Sequence, residues 1–151
     1  MLAALFAFAH HLAAFSIFAA LVVELVLIRG DLTIASARKL LRADMIYGIA
    51  AGAILVIGFV RVKWLEKTPD YYMHSGPFIA KIALFAAIGL LSIYPTLQML
   101  SWRKALAAGQ VPGVDAAQKR RLAMFIHIEL TLLAALILCA ALMAKGVGQL
   151  T

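Results

Sequence analysis

Apolar residues gather in four long runs, at about 2–28, 43–62, 77–100 and 122–144, with the charged residues concentrated between them. Each run is about the length that a helix needs to cross a bilayer core, roughly 20 mostly apolar residues. The pattern predicts an all-α fold, an integral membrane four-helix bundle that forms a single domain over residues 1–151. The first run has no basic flank ahead of it and stays apolar far beyond the core of a signal peptide, so it is expected as a mature helix. Gly109, Pro112 and Gly113 mark the third connection as an ordinary solvated loop. The second connection, WLEKTPDYYMHSGPF, carries Trp64, Tyr71 and Tyr72, which read as an interfacial aromatic belt capping the bundle.

Composition strengthens this reading. Apolar residues make up 65% of the 151 positions, and the mean hydropathy is +0.99, both outside the soluble globular range. The 14 Lys and Arg against 7 Asp and Glu give a net charge of +7. In a soluble chain that balance would point to nucleic acid. Here the cations sit between spans, which is how topology is set, and no nucleic-acid partner is expected.

Nine of the cations, Arg29, Arg38, Lys39, Arg42, Arg103, Lys104, Lys119, Arg120 and Arg121, flank one side, against five on the other. The positive-inside rule then places both termini on the outer, periplasmic side of a bacterial cytoplasmic (inner) membrane crossed several times. Cys139, the only cysteine, lies within an apolar run and excludes a disulfide framework. No Walker loop, dinucleotide fingerprint, HExxH helix or paired CxxC is present. Gly48 and Gly52 form a GxxxG spacing, a packing signal either within the chain or at a homodimer face.

Ionisable residues inside spans are scarce and usually face the bundle interior, so each is a functional candidate. They fall into two layers. Toward the outer side are His10 and His11 on the first helix, Lys81 near the start of the third, and His74 on the cap. Toward the inner side are Glu24, His127 and Glu129, with Tyr47 and Tyr94 at similar depth.

Adjacent helical residues point about 100° apart, so His10 and His11 cannot aim at one partner. Fourteen residues from His10 to Glu24 rotate by about −40°, which puts both on one face, while His11 looks sideways. His10 is the first metal-ligand candidate and His74 the second, with His11 supporting. Lys81 either snorkels outward or binds an anionic group such as a propionate. Glu24 and His127 are expected to meet near the inner end, as a proton relay, an inner polar site or a metal pair. Glu129, about 200° around the helix from His127, cannot serve the same site as a simple pair.

The segments AHHLAAF, LLRADMIYGIAAG and YYMHSGPFIAKIAL, together with the overall plan, resemble a family of small bacterial four-helix membrane proteins known as a domain of unknown function. More distantly the chain is similar to HemJ-type protoporphyrinogen oxidases and to CopD-type copper membrane domains. The HemJ resemblance implies haem binding through His10 and a helix-opening lysine at Lys81. The HemJ-type fourth helix carries Asn-Glu-x-Pro near its start where this chain has HIEL at 127–130, so porphyrinogen chemistry is not carried over.

Three functions follow as expectations. The first is a membrane protein binding haem b, with His10 and His74 or His11 at the iron, exchanging electrons with quinone or another redox partner in the lipid bilayer as a membrane oxidoreductase. The second is a copper-like metal-ion or proton-coupled transport protein, although Met45, Met73, Met99, Met124 and Met143 form no clustered thioether motif. The third is a structural or assembly subunit.

Overall fold

The apolar runs become long helices in the computed structural model, which describes residues 1–60 and 76–145. These are α1 (Leu2–Arg29), α2 (Ile34–Val60), α3 (Gly76–Ser101) and α5 (Ala116–Ala144), with a short α4 (Arg103–Ala107) before the last. The four long segments are long and apolar enough to cross a membrane, and no strand occurs among the described residues. The physical reason is general: hydrocarbon offers no hydrogen-bond partner, and a helix satisfies its backbone within itself. At 1.5 Å per residue, α1 runs about 42 Å, longer than the ~30 Å hydrocarbon core, so its end turns reach the headgroup level.

Two helices begin earlier than the apolar runs. Helix α2 starts at Ile34 rather than near 43, because Thr33 and Ser36 cap it reciprocally: the Thr33 N–H donates to Ser36 Oγ at 2.8 Å and the Ser36 N–H to Thr33 Oγ1 at 3.1 Å. Its first turns are amphipathic, with Ala37 and Leu40 buried and Arg38, Lys39 and Arg42 exposed. Helix α5 starts at Ala116 rather than near 122. Asp115 accepts from the Gln118 N–H at 2.7 Å, and the Gln118 side chain accepts from the Asp115 N–H at 3.3 Å, a capping box.

Helix α1 packs along α2 and also against α5, α3 packs along α5, and α2 meets α3 over a shorter stretch. Ile17, Leu21, Leu40, Ile88, Ile126 and Leu133 contribute to the core, and Trp102 and Leu106 lie buried at the end that carries the nine cations. Helix α4 ends in a Schellman turn: Gly109, at φ 69°, donates to the Leu106 carbonyl and Gln110 to that of Ala105. Only glycine takes that left-handed conformation without penalty.

Phe8, Phe15, Val26, Ile49, Leu90 and Leu97 point outward, as lipid-facing residues should. Gly48 and Gly52 are also exposed, and a Cβ at either would meet nothing within 4 Å. The GxxxG spacing therefore makes no close approach among the described residues. Trp64, Tyr71 and Tyr72, expected in the outer cap, lie outside the described residues.

Candidate functional site: a buried carboxylate cluster

Three of the chain's seven acids occupy core positions. Glu24 on α1, Asp44 on α2 and Glu129 on α5 are only 2%, 7% and 1% exposed. Helical spacing puts each on the stripe that faces the bundle. Glu24 follows Ile17 and Leu21 and precedes Ile28; Asp44 lies between Leu40 and Tyr47; Glu129 lies between Ile126 and Leu133. The hydrophobic packing that docks the helices therefore also delivers the carboxylates to the interior.

Neighbouring helices supply the partners. Thr96 on α3 donates its hydroxyl to Asp44 Oδ1 at 2.6 Å. The buried Tyr47 hydroxyl pairs with Glu129 and approaches Ser92. Glu24 lies within electrostatic reach of both Asp44 and Glu129, and Arg103, at the start of α4, within reach of Asp44. Oε1 of Glu24 and Oε1 of Glu129 have no hydrogen-bond partner among the described residues. Pro95, buried one position before Thr96, has no N–H to give the carbonyl one turn earlier. The arrangement is rich in acceptors, and groups of this kind can hold or pass protons.

The expected residues are distributed differently. His127 is exposed, so it does not meet Glu24 in the interior; Glu129 is the residue that α5 turns inward. The reason is angular: positions two apart on a helix lie about 200° apart, so only one of the pair can face the core. The Tyr94 ring lies tilted against that of Phe125, centroids 4.8 Å apart at 36°.

His10 is half-buried at the other end of α1, about 21 Å along the axis from Glu24. Its ring stands edge-on to that of His11, centroids 6.2 Å apart at 89°, and its Cε1 lies 3.9 Å from where a Cβ on Gly58 would project. His11 is exposed, with Nδ1 2.6 Å from the Ala7 carbonyl oxygen. Lys81 is half-buried, its Nζ 5.4 Å above the Phe78 ring. His74 lies outside the described residues. Among the described residues no three His, Cys, Asp or Glu side chains converge in a metal-holding arrangement.

Asp44 and Thr96 escaped the sequence reading, and Glu129 was set aside in it. The available signal was the stripe itself: Leu122, Ile126, Glu129 and Leu133 recur at spacings of four, three and four, as do Ala37, Leu40, Asp44 and Tyr47 at three, four and three.

No curated protein and no solved structure matches the chain, so the likeness to HemJ-type and CopD-type proteins finds no support there. A family model does match, over residues 2–148 and so across all four long helices, and the chain belongs to the family described as "Predicted membrane protein (DUF2214)".

Proposed function

We propose that this membrane protein handles protons, and that Glu24, Asp44 and Glu129 form the site that takes them up and passes them on. The observation that carries the reading is the burial of three carboxylates from three helices in one apolar bundle. Charge in such surroundings is expensive, and residues of this kind mark proton and ion pathways. Tyr47 and Thr96 add hydroxyls that can extend a hydrogen-bonded relay. Protons are favoured over a metal cargo by the donor geometry, since the described carboxylates and imidazoles do not converge as a ligand set. The setting is a bacterial cytoplasmic membrane with the basic end inside and both termini outside.

The test is proton flux in proteoliposomes loaded with a pH-sensitive dye, under a potassium diffusion potential. Wild-type protein should acidify or alkalinise the lumen according to the sign of the potential. Glu24→Gln, Asp44→Asn and Glu129→Gln should each abolish most of that flux, while His11→Ala should keep it. Wild-type vesicles no leakier than empty liposomes would overturn the proposal.

A haem-binding reading has one supporting observation, the half-buried His10 beside Gly58 at the far end of the bundle. His11 is a neighbour on the same helix, about 100° around, so the two rings cannot serve as opposite ligands of one iron. A second axial ligand, such as His74, would have to come from outside the described residues. A Soret band in detergent-purified protein, lost in His10→Ala and kept in His11→Ala, is the outcome this reading requires; a colourless protein reconstituted with haem in excess would end it.

A further inference from the structure

We propose that a groove at the basic end of the bundle, between the end of α1 and the start of α5, binds the headgroup of an anionic phospholipid. The groove is open to its surroundings and has a volume of about 500 Å³. Arg29, Lys119, Arg120 and His127 line it, and no acidic side chain does. Its remaining walls are Ile28, Ala116, Ala123 and Met124. Cations and an apolar floor in one groove at a membrane surface match a molecule that is anionic at one end and hydrocarbon at the other.

The sequence builds the groove from a single face of α5. Positions 116, 119, 120, 123, 124 and 127 recur at three- and four-residue spacings, so they lie together along one side. Alanines at 116 and 123 keep that side concave. Arg29 and Arg120 are exposed, as is His127 some 10 Å further along the axis. An anionic phosphate would sit between the arginines at the rim, and His127 would lie at the depth of the glycerol esters, with the acyl chains against Met124 and Ala123.

Lys119 sets the geometry. Its Nζ donates to the Gly30 carbonyl at 2.6 Å, a group left without an intrahelical partner at the end of α1, and so ties the two walls together. The other lining cations remain for the phosphate, and arginine is well suited to it because its planar fork binds oxyanions through two parallel hydrogen bonds.

The experiment is lipid titration of the full chain in detergent, read by native mass spectrometry for bound lipid and by thermal unfolding for the gain in stability. Phosphatidylglycerol should bind and raise the unfolding temperature; phosphatidylcholine and inorganic phosphate should do neither. Arg29→Gln and Arg120→Gln should each weaken phosphatidylglycerol binding about fivefold, the value of one basic residue at a membrane surface. Arg121→Gln and Lys104→Gln, which remove the same charge outside the groove, should leave it within about twofold. Arg29→Lys and Arg120→Lys, which keep the charge, provide folded comparisons should a glutamine variant fail to purify.

Equal weakening by the groove and control variants would overturn the proposal in favour of diffuse surface attraction. So would equal binding of phosphatidylcholine, which needs no cationic groove, or displacement of the lipid by phosphate alone, which would mark a simple anion site.

Discussion

Thr96 on α3 donates its hydroxyl to the Asp44 carboxylate on α2 at 2.6 Å, across the seam where these two helices meet over only a short stretch. The bond therefore does two things: it satisfies one oxygen of a buried acid, and it is one of the few polar links between the α1–α2 pair and the α3–α5 pair. Thr96→Val keeps the shape and removes the donor. It should destabilise the protein by about 1–3 kcal/mol, the cost of leaving a buried acceptor unsatisfied, as measured by unfolding in detergent. Thr96→Ser, which keeps the hydroxyl, should recover most of that loss. An unchanged valine variant would show that the seam does not depend on this bond.

Tyr47 and Glu129 should be energetically coupled. The Tyr47 hydroxyl on α2 pairs with Glu129 on α5, so Tyr47→Phe and Glu129→Gln should each cost stability, with a double variant less destabilised than the sum. An interaction of about 0.5–3 kcal/mol is the range for residues in direct contact. Strict additivity in the double-mutant cycle would mean that the two side chains do not act on each other.

The spans were legible in the sequence because hydrocarbon forces the backbone into helices, and four apolar runs say where. The helix starts were less so. The turns at 34–42 and 116–121 are charged on their outer face and capped by Thr33 and Asp115, so a hydropathy reading assigns them to loops. Within the site, Glu24 was legible by the rarity of acids in spans and by its spacing from Ile17, Leu21 and Ile28. Asp44 was not, because it lies two residues after Arg42, where the apolar run begins, and merges with the basic connection. The partner of Glu24 depended on which face of α5 turns inward. Chemistry favoured the histidine, but packing decided: Ile126 and Leu133 share a face with Glu129, whereas Lys119, Arg120 and Met124 share one with His127.

Gly48 and Gly52 face outward with open space around them. Gly48→Ala with Gly52→Ala should therefore leave the folded chain intact and its unfolding temperature unchanged or slightly raised, since alanine is the better helix former by about 1 kcal/mol per site. A marked fall in that temperature, dependent on protein concentration, would reveal a second copy packed on this face through the GxxxG spacing.

The basic end of the bundle gathers the cations of α4 and of the ends of α1, α2 and α5. Positive charge near span ends is retained on the cytoplasmic side, so tags on both termini should be open to protease in intact spheroplasts. Replacing Arg38, Lys39 and Arg42 together with glutamine should weaken that preference and yield a mixed population. Protection of both tags in the wild type would reverse the orientation.

The last expectation concerns the two faces of α5. His127 and Glu129 are separated by about 200°, and the fold places the first on the outer groove and the second in the interior beside Tyr47, on the face of α5 that carries Ile126. In a Cys139→Ala background, a cysteine at 127 should react readily with a maleimide that partitions to the membrane surface, because the exposed ring it replaces lines an open groove. A cysteine at 129 should stay largely unlabelled until the protein is unfolded, since the glutamate there is 1% exposed. The two variants also separate site from surface: Glu129→Cys should lose the proton flux assigned to the carboxylate cluster, while His127→Cys should keep it and alter only lipid binding. Rapid labelling at 129 with protection at 127 would require α5 to be turned by half a revolution, which would bring the histidine to Glu24 and carry the carboxylate out to lipid.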